Sequence, residues 1–226
     1  SGASISSTAT GATAGTISII GVGAAGTDNN HGVFLQDSTT DITSVDGAIS
    51  INGTGGAGTS NANFGVVISG IETLASTGTG SNAANITVIG TAGTGTGGLI
   101  GIGISGTTTD ISSVDGDISI MGTGTTGTSG NNRGVSITDI ETIQSTGTSA
   151  DAATITITGN AGDGPLTGHH GVMLAGATTD VSSMDGDIMV TGTGGVGDNS
   201  HGVLLDGIDT VQSTGTTASA ATITIM

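Results

Sequence analysis

Cysteine, tryptophan and tyrosine are absent from this 226-residue chain, phenylalanine occurs twice, and lysine plus arginine together number one, Arg133. The missing thiols exclude disulfides and thiolate metal centres. A formal charge of −17 with a single cation cannot neutralise a row of phosphates, so no nucleic-acid partner and no anionic membrane surface is expected. The longest apolar run, Leu99 to Ile104, is broken by glycines and is far too short for a bilayer-spanning helix, so no membrane insertion is expected. No basic, apolar leader precedes Ser1-Gly2-Ala3-Ser4, and the chain reads as a segment of something longer.

What remains is 45 glycines among threonine, serine and alanine, with 34% hydrophobic and 8% charged residues. That balance is wrong for a solvated coil, so the chain packs. It is also repetitive. TTDITSVDGAISINGTG from Thr39 returns as TTDISSVDGDISIMGTG at Thr108 and TTDVSSMDGDIMVTGTG at Thr178, which spaces Asp41, Asp110 and Asp180 by 69 and 70 residues. Each long repeat holds two related halves. Apolar triplets begin at Ile17, Ile49, Ile86, Ile118, Ile155, Ile188 and Ile223, 32 to 37 residues apart.

Three short apolar motifs recur in order within each unit. The first alternates (Ile118/Ile120), the second follows a glycine (Val135/Ile137), and the third is spaced by three (Ile111/Val114 or Ile140/Ile143). Period-two alternation bounded by Gly, Asp and Ser turns is the pattern of short strands with one buried face. Three strands per unit, stacked unit on unit, predict an all-β, right-handed parallel β-helix (β-solenoid) of about six to seven coils, roughly 30 Å long. Residues 1–226 read as a single solenoid. The two-coil alternation is expected to place bulges at alternate corners. Ile118, Ile120, Val135, Ile137, Ile140 and Ile143 should point inward, with Ser119, Ser136 and Glu141 in solvent.

The segments SSVDGDISI, ETIQSTGT and AATITITG resemble the repeats of very large bacterial surface proteins, the β-strand-repeat and filamentous-haemagglutinin-like adhesins. The resemblance implies a secreted, extracellular bacterial setting and a structural or adhesive role as stalk or fibre, with cell-surface glycans or other cells as partners. The 34-residue unit is longer than the filamentous-haemagglutinin repeat.

Other chemistries are weighed on particular residues. A carbohydrate-active β-helix needs acid and base carboxylates in a groove, and the closest pairs, Asp115/Asp117 and Asp185/Asp187, recur with the repeat where an active site should break it. No enzyme is expected. Asp110, Asp139 and Asp180 are expected to share one position on successive coils, a like-charge ladder that calcium would bridge; a solvated acidic face is the competing reading. Beside it, Thr43, Glu72, Ser112, Glu141, Ser182 and Asp209 form an alternating rank. His31, His170 and His201 share a column with Phe64, Ile100 and Arg133, and only His170 and His201 are close enough for a shared ion. The outward rank Ser18, Ser50, Thr87, Ser119, Thr156, Met189 and Thr224 resembles the hydroxyl face of ice-binding solenoids, although Asn85, Asp117 and Asp187 flank it. Finally, neither end carries a polar cap, so either flanking coils of the parent chain or head-to-tail self-stacking through Ile5, Ile17, Ile223, Ile225 and Met226 should cover the column.

Overall fold

A computed structural model describes residues 2–148, 151–215 and 221–226. Among them every regular element is a strand, and all pairing between strands is parallel. Sheet I holds Ile17–Val22, Ile49–Thr54, Ile86–Thr91, Ile118–Thr123, Ile155–Asn160, Ile188–Thr193 and Ile223–Ile225. Sheet II holds Val33–Gln36, Val66–Ser69, Ile102–Ser105, Val135–Thr138, Val172–Ala175 and Val203–Asp206. Sheet III holds Ser4–Ser7, Asp41–Ser44, Thr73–Ser76, Asp110–Ser113, Thr142–Ser145, Asp180–Ser183 and Thr210–Ser213. Within each sheet the order is that of the chain, one strand per coil. The molecule is a parallel β-solenoid of about seven turns with three strands per coil.

The expected inward ladders of sheets I and II are present. Ile17, Ile49, Ile86, Ile118, Ile155, Ile188 and Ile223 pair rung by rung, and Val33, Val66, Ile102, Val135, Val172 and Val203 do the same. All six core positions named for the middle coil are completely buried. Each such side chain contributes on the order of 2 kcal/mol relative to exposure.

The corner between sheets I and II has no room for side chains. Gly53, Gly90, Gly122 and Gly159 face Gly65, Gly101, Gly134 and Gly171, and a Cβ on any of the first set would collide with the carbonyl oxygen of the opposing glycine. The glycine-rich composition therefore serves backbone-to-backbone packing at this edge as well as turns.

Sheet III departs from the expected register. Ile111 pairs with Ile143 and Leu74, not with Ile140. The second inward residue of every strand in this sheet is a serine: Ser7, Ser44, Ser76, Ser113, Ser145, Ser183 and Ser213 align in one column. Ser44 and Ser113 donate to the carbonyls of Gly47 and Gly116, whereas the Ser76 hydroxyl is buried without a partner. Ile71 and Ile140 fill the corner before the strand, where Thr40, Thr109 and Thr179 instead donate their hydroxyls to the carbonyls of Gln36, Ser105 and Ala175. Val114 lies past the strand and is only half-buried. The corrected register also moves the two-coil alternation. The link from sheet III to sheet I runs over 45–48 or 114–117 in one coil type and over 77–85 in the other, while the links from sheet II to sheet III, 37–40 and 70–72, differ by a single residue. The bulges alternate at one corner, not two.

Candidate functional site

Four surface regions carry the side chains singled out above. The first is the outer face of sheet III. Its first outward rank is Asp41, Thr73, Asp110, Thr142 and Thr210, with Asp180 bonded to Thr142 Oγ1 at 3.5 Å. Threonine thus separates each aspartate from the next, which doubles the distance between like charges. Asp139 is not in this rank. It sits at the preceding corner in a left-handed conformation with φ of 50°, so Asp110, Asp139 and Asp180 do not line up. The neighbouring rank is likewise Thr43, Ala75, Ser112, Gln144, Ser182 and Gln212, and Glu72, Glu141 and Asp209 lie at the corner. Burial raises the carboxyl pKa of Asp110, with Glu141 adding to it and hydrogen bonds from Ser112 and Gln144 opposing. Burial and Asp209 do the same to Asp180, against Ser182 and Thr142. Among the described residues no three His, Asp or Glu side chains form a metal-holding group.

The second region is the corner between sheets III and I. Asp46 Oδ2 accepts the Gly11 N–H at 2.5 Å and Asp115 Oδ2 that of Gly80 at 2.6 Å. Asp117 Oδ1 accepts the Thr154 N–H at 2.9 Å, and Asp187 Oδ1 that of Thr222 at 2.7 Å. Asp115, Asp117 and Asp187 thus each cap a backbone donor of an adjacent coil, which explains why they recur with the repeat.

The third is the outer face of sheet I. The rank from Ser18 to Thr224 is in register on all seven strands. Four residues further along the strands, Thr54, Thr91, Thr123 and Thr193 form a second hydroxyl rank with Val22 and Asn160. Between them runs a mixed rank that includes Ile20, Ile89 and Met121.

The fourth is the outer face of sheet II and its leading edge. His31, Phe64, Ile100, Arg133, His170 and His201 do stack as one column, linked through the N–H of the glycine that follows each. His31 contacts both phenylalanines, with ring centroids 5.5 Å from Phe34 and 5.3 Å from Phe64. His170 and His201 are parallel at 5.2 Å, and His170 Nδ1 accepts the His201 N–H at 3.2 Å. Arg133 donates to Asn131 Oδ1 at 2.8 Å and, at 3.4 Å, to Gly168 O and Ser136 Oγ. It covers Ser136, which is therefore buried and not in solvent as the alternation suggested. Burial lowers the pKa of His31 and Arg133. It takes His170 down to about 4, with Arg133, His201 and His169 contributing. Beside the column, an apolar notch of about 230 Å³ opens over Gly103, walled by Phe64, Val67, Ile100 and Ser136.

The apolar patterning gave no sign of the polar ladder just inside this edge. Asn63, Asn132 and His169 are fully buried. Asn30 donates to Asn63 Oδ1 at 2.9 Å, Asn63 to Thr94 O at 2.8 Å, and Asn132 to Asp163 O at 3.0 Å. His169 Nδ1 accepts the Asn132 N–H at 3.3 Å. Asn30, Asn63, Asn132 and His169, two residues before the glycine of four coils, were the available signal, with Leu99 and Ser200 in the other two.

At the ends, Ile5 is 38% exposed, Ile223 39%, Ile225 43% and Met226 61%, whereas Ile17 is buried at 8%. Ser1 lies outside the described residues. No helix among the described residues is long and apolar enough to cross a membrane. Comparison with known proteins finds no family model, no curated protein and no solved structure that matches the chain.

Proposed function

We propose that the chain is a structural and adhesive β-solenoid, a rod segment of a bacterial cell-surface protein or extracellular fibre. The observation that carries this reading is the column itself: one apolar ladder runs in register through all seven strands of sheet I, and a stack of equivalent rungs is an architecture that lengthens coil by coil. Electron microscopy of the purified chain, alone and extended by one further repeat at each end, tests the reading. Straight rods whose length grows with each added coil support it. Globular particles of unchanged dimension overturn it.

The sheet I face supports a second reading, ice binding. Two hydroxyl ranks in register, Ser18 to Thr224 and Thr54 to Thr193, present methyls and hydroxyls at regular spacing. Thermal hysteresis that is lost in Thr91→Lys and Thr123→Lys variants would select it, and its absence in the unaltered chain would dismiss it.

A further inference from the structure

The chemically scarce residues of this chain are gathered on one face. Both phenylalanines, the one arginine and three of the four histidines lie along the outer side of sheet II or its leading edge, and His169 lies just inside it. Elsewhere the repeat is written almost wholly in Gly, Thr, Ser, Ala, Ile, Val, Asp and Asn.

The face has three parts. Down its middle runs the outward rank Phe34, Val67, Gly103, Ser136, Met173 and Leu204. It is mostly apolar, and Phe34 is 51% exposed. Three residues before each of these lies the column from His31 to His201. Three residues after lie Asp37, Gly70, Gly106, Asp139, Gly176 and Gly207. The two flanks are complementary rung by rung. The coil with His31 has Asp37, the coil with Arg133 has Asp139, and the coil with His201 has Asp206 one place earlier. The bulky Phe64, Ile100 and His170 are matched by glycines: Gly70 has only a threonine hydroxyl within 4 Å of where its Cβ would be, whereas Gly106 lies against the Gly70 backbone and Gly176 against the Asp139 carboxylate.

We propose that this face is the interface of a parallel two-fold dimer, in which a second copy of the chain packs its own middle rank onto this one. A two-fold axis along the rod through the middle rank carries each leading-edge residue onto the trailing edge of the same rung in the partner. Arg133 then meets Asp139 of the other copy, His201 meets Asp206, and Phe64 lies over Gly70. Asp37, which already accepts from Thr39 at 2.9 Å, borders His31. The copies share one rise per coil, so the match holds at every rung without adjustment. An antiparallel arrangement would set Arg133 against Ile100 and gain none of these pairs. Six strands about 4.8 Å apart, each covered over about 20 Å, give roughly 600 Å² per copy and roughly 1,200 Å² in the pair, the lower edge of specific interfaces.

Charge reversal tests the geometry. Sedimentation equilibrium of the full chain should show a monomer–dimer equilibrium. Arg133→Glu and Asp139→Lys should each weaken it about tenfold or more by placing like charges together, and the double variant should recover most of the loss. Circular dichroism checks that each variant keeps its sheet. Because the chain lacks cysteine, a second measurement needs only one substitution. Met173→Cys, on the axis, should form an intermolecular disulfide under mild oxidation, and Met189→Cys, on sheet I, should not. A strictly monomeric chain at high concentration, equal cross-linking at both cysteines, or association that the charge reversals leave unchanged would each overturn the proposal.

Discussion

Gly122 packs its bare Cα against the carbonyl oxygen of Gly134, at the corner where sheets I and II meet. A Cβ there would strike that oxygen and the Gly134 carbonyl carbon and lie 2.7 Å from Val135 Cγ2. The obstruction is backbone held on both sides by ladder hydrogen bonds, so nothing can yield cheaply. Gly122→Ala should cost about 3 kcal/mol or more, at or beyond the upper end for overpacking. Gly15→Ala, where nothing lies within 4 Å, should leave the melting temperature within a degree or two or raise it, since alanine restricts the unfolded chain. Equal effects of the two substitutions would show that the corner is not close-packed.

The serine column of sheet III gives a sharper contrast. The Ser113 hydroxyl donates to Gly116 O, whereas the Ser76 hydroxyl, equally buried, has no partner. Removing a made hydrogen bond costs about 1 kcal/mol, and removing an unmade one relieves a desolvated polar group. Ser113→Ala should therefore lower the denaturation midpoint while Ser76→Ala leaves it unchanged or raises it.

That column also explains how much of the fold was legible. Sheets I and II were readable because both inward residues of each strand are apolar, as in Ile118/Ile120 and Val135/Ile137. In sheet III the inward pair is one aliphatic and one serine, Ile111 with Ser113 or Ile143 with Ser145, and an apolar count passes over the serine. The apolar pairs Ile140/Ile143 and Ile111/Val114 share a spacing of three but belong to different parts of the coil. One slip of three residues produced both the false alignment of Asp110, Asp139 and Asp180 and the bulge assigned to a second corner. The leading-edge column from His31 to His201 was readable for the opposite reason, because the glycine that follows each member, and the Val or Ile after it, fix its register. The cover that Arg133 places over Ser136 was not, since it depends on where a long side chain comes to rest.

Asp110 offers a test of the acidic face. Burial raises its pKa, so the folded state disfavours its charge, and the penalty is full above the folded value and disappears as pH falls through it. Asp110→Asn should raise the melting temperature at pH 7, and the gain should shrink in acid. Calcium should not alter the comparison. A lower melting temperature for the asparagine variant in calcium, reversed by chelator, would instead show that the carboxylate holds a cation.

His170 acts on the acid response from the other side, in the same sense as His31, whose pKa burial also lowers. Its imidazole is held down at about 4 against an ordinary value of 6.5, chiefly by burial, then by the Arg133 charge and by His201 and His169. Between those two values the unfolded chain binds more protons at this residue than the folded one does. Stability must therefore fall as pH is lowered from about 6.5 to about 4, with no further loss from this group below that. Asp110 and Asp180 act in the opposite sense, because acid relieves their buried charge as the pH falls through their raised values. Comparing the unaltered chain with His170→Gln removes this opposition, since both aspartates are common to the two proteins. The variant loses the 5.2 Å ring stack on His201, so it should start lower at pH 7. Its melting temperature should nonetheless decline less steeply from pH 6.5 to 4, and the two curves should converge. A histidine resonance titrating near 4, absent in the variant, identifies the group directly. Parallel curves, or a His170 resonance titrating at its ordinary value, would mean that the ring is hydrated and that the Arg133 to His201 column is open to water.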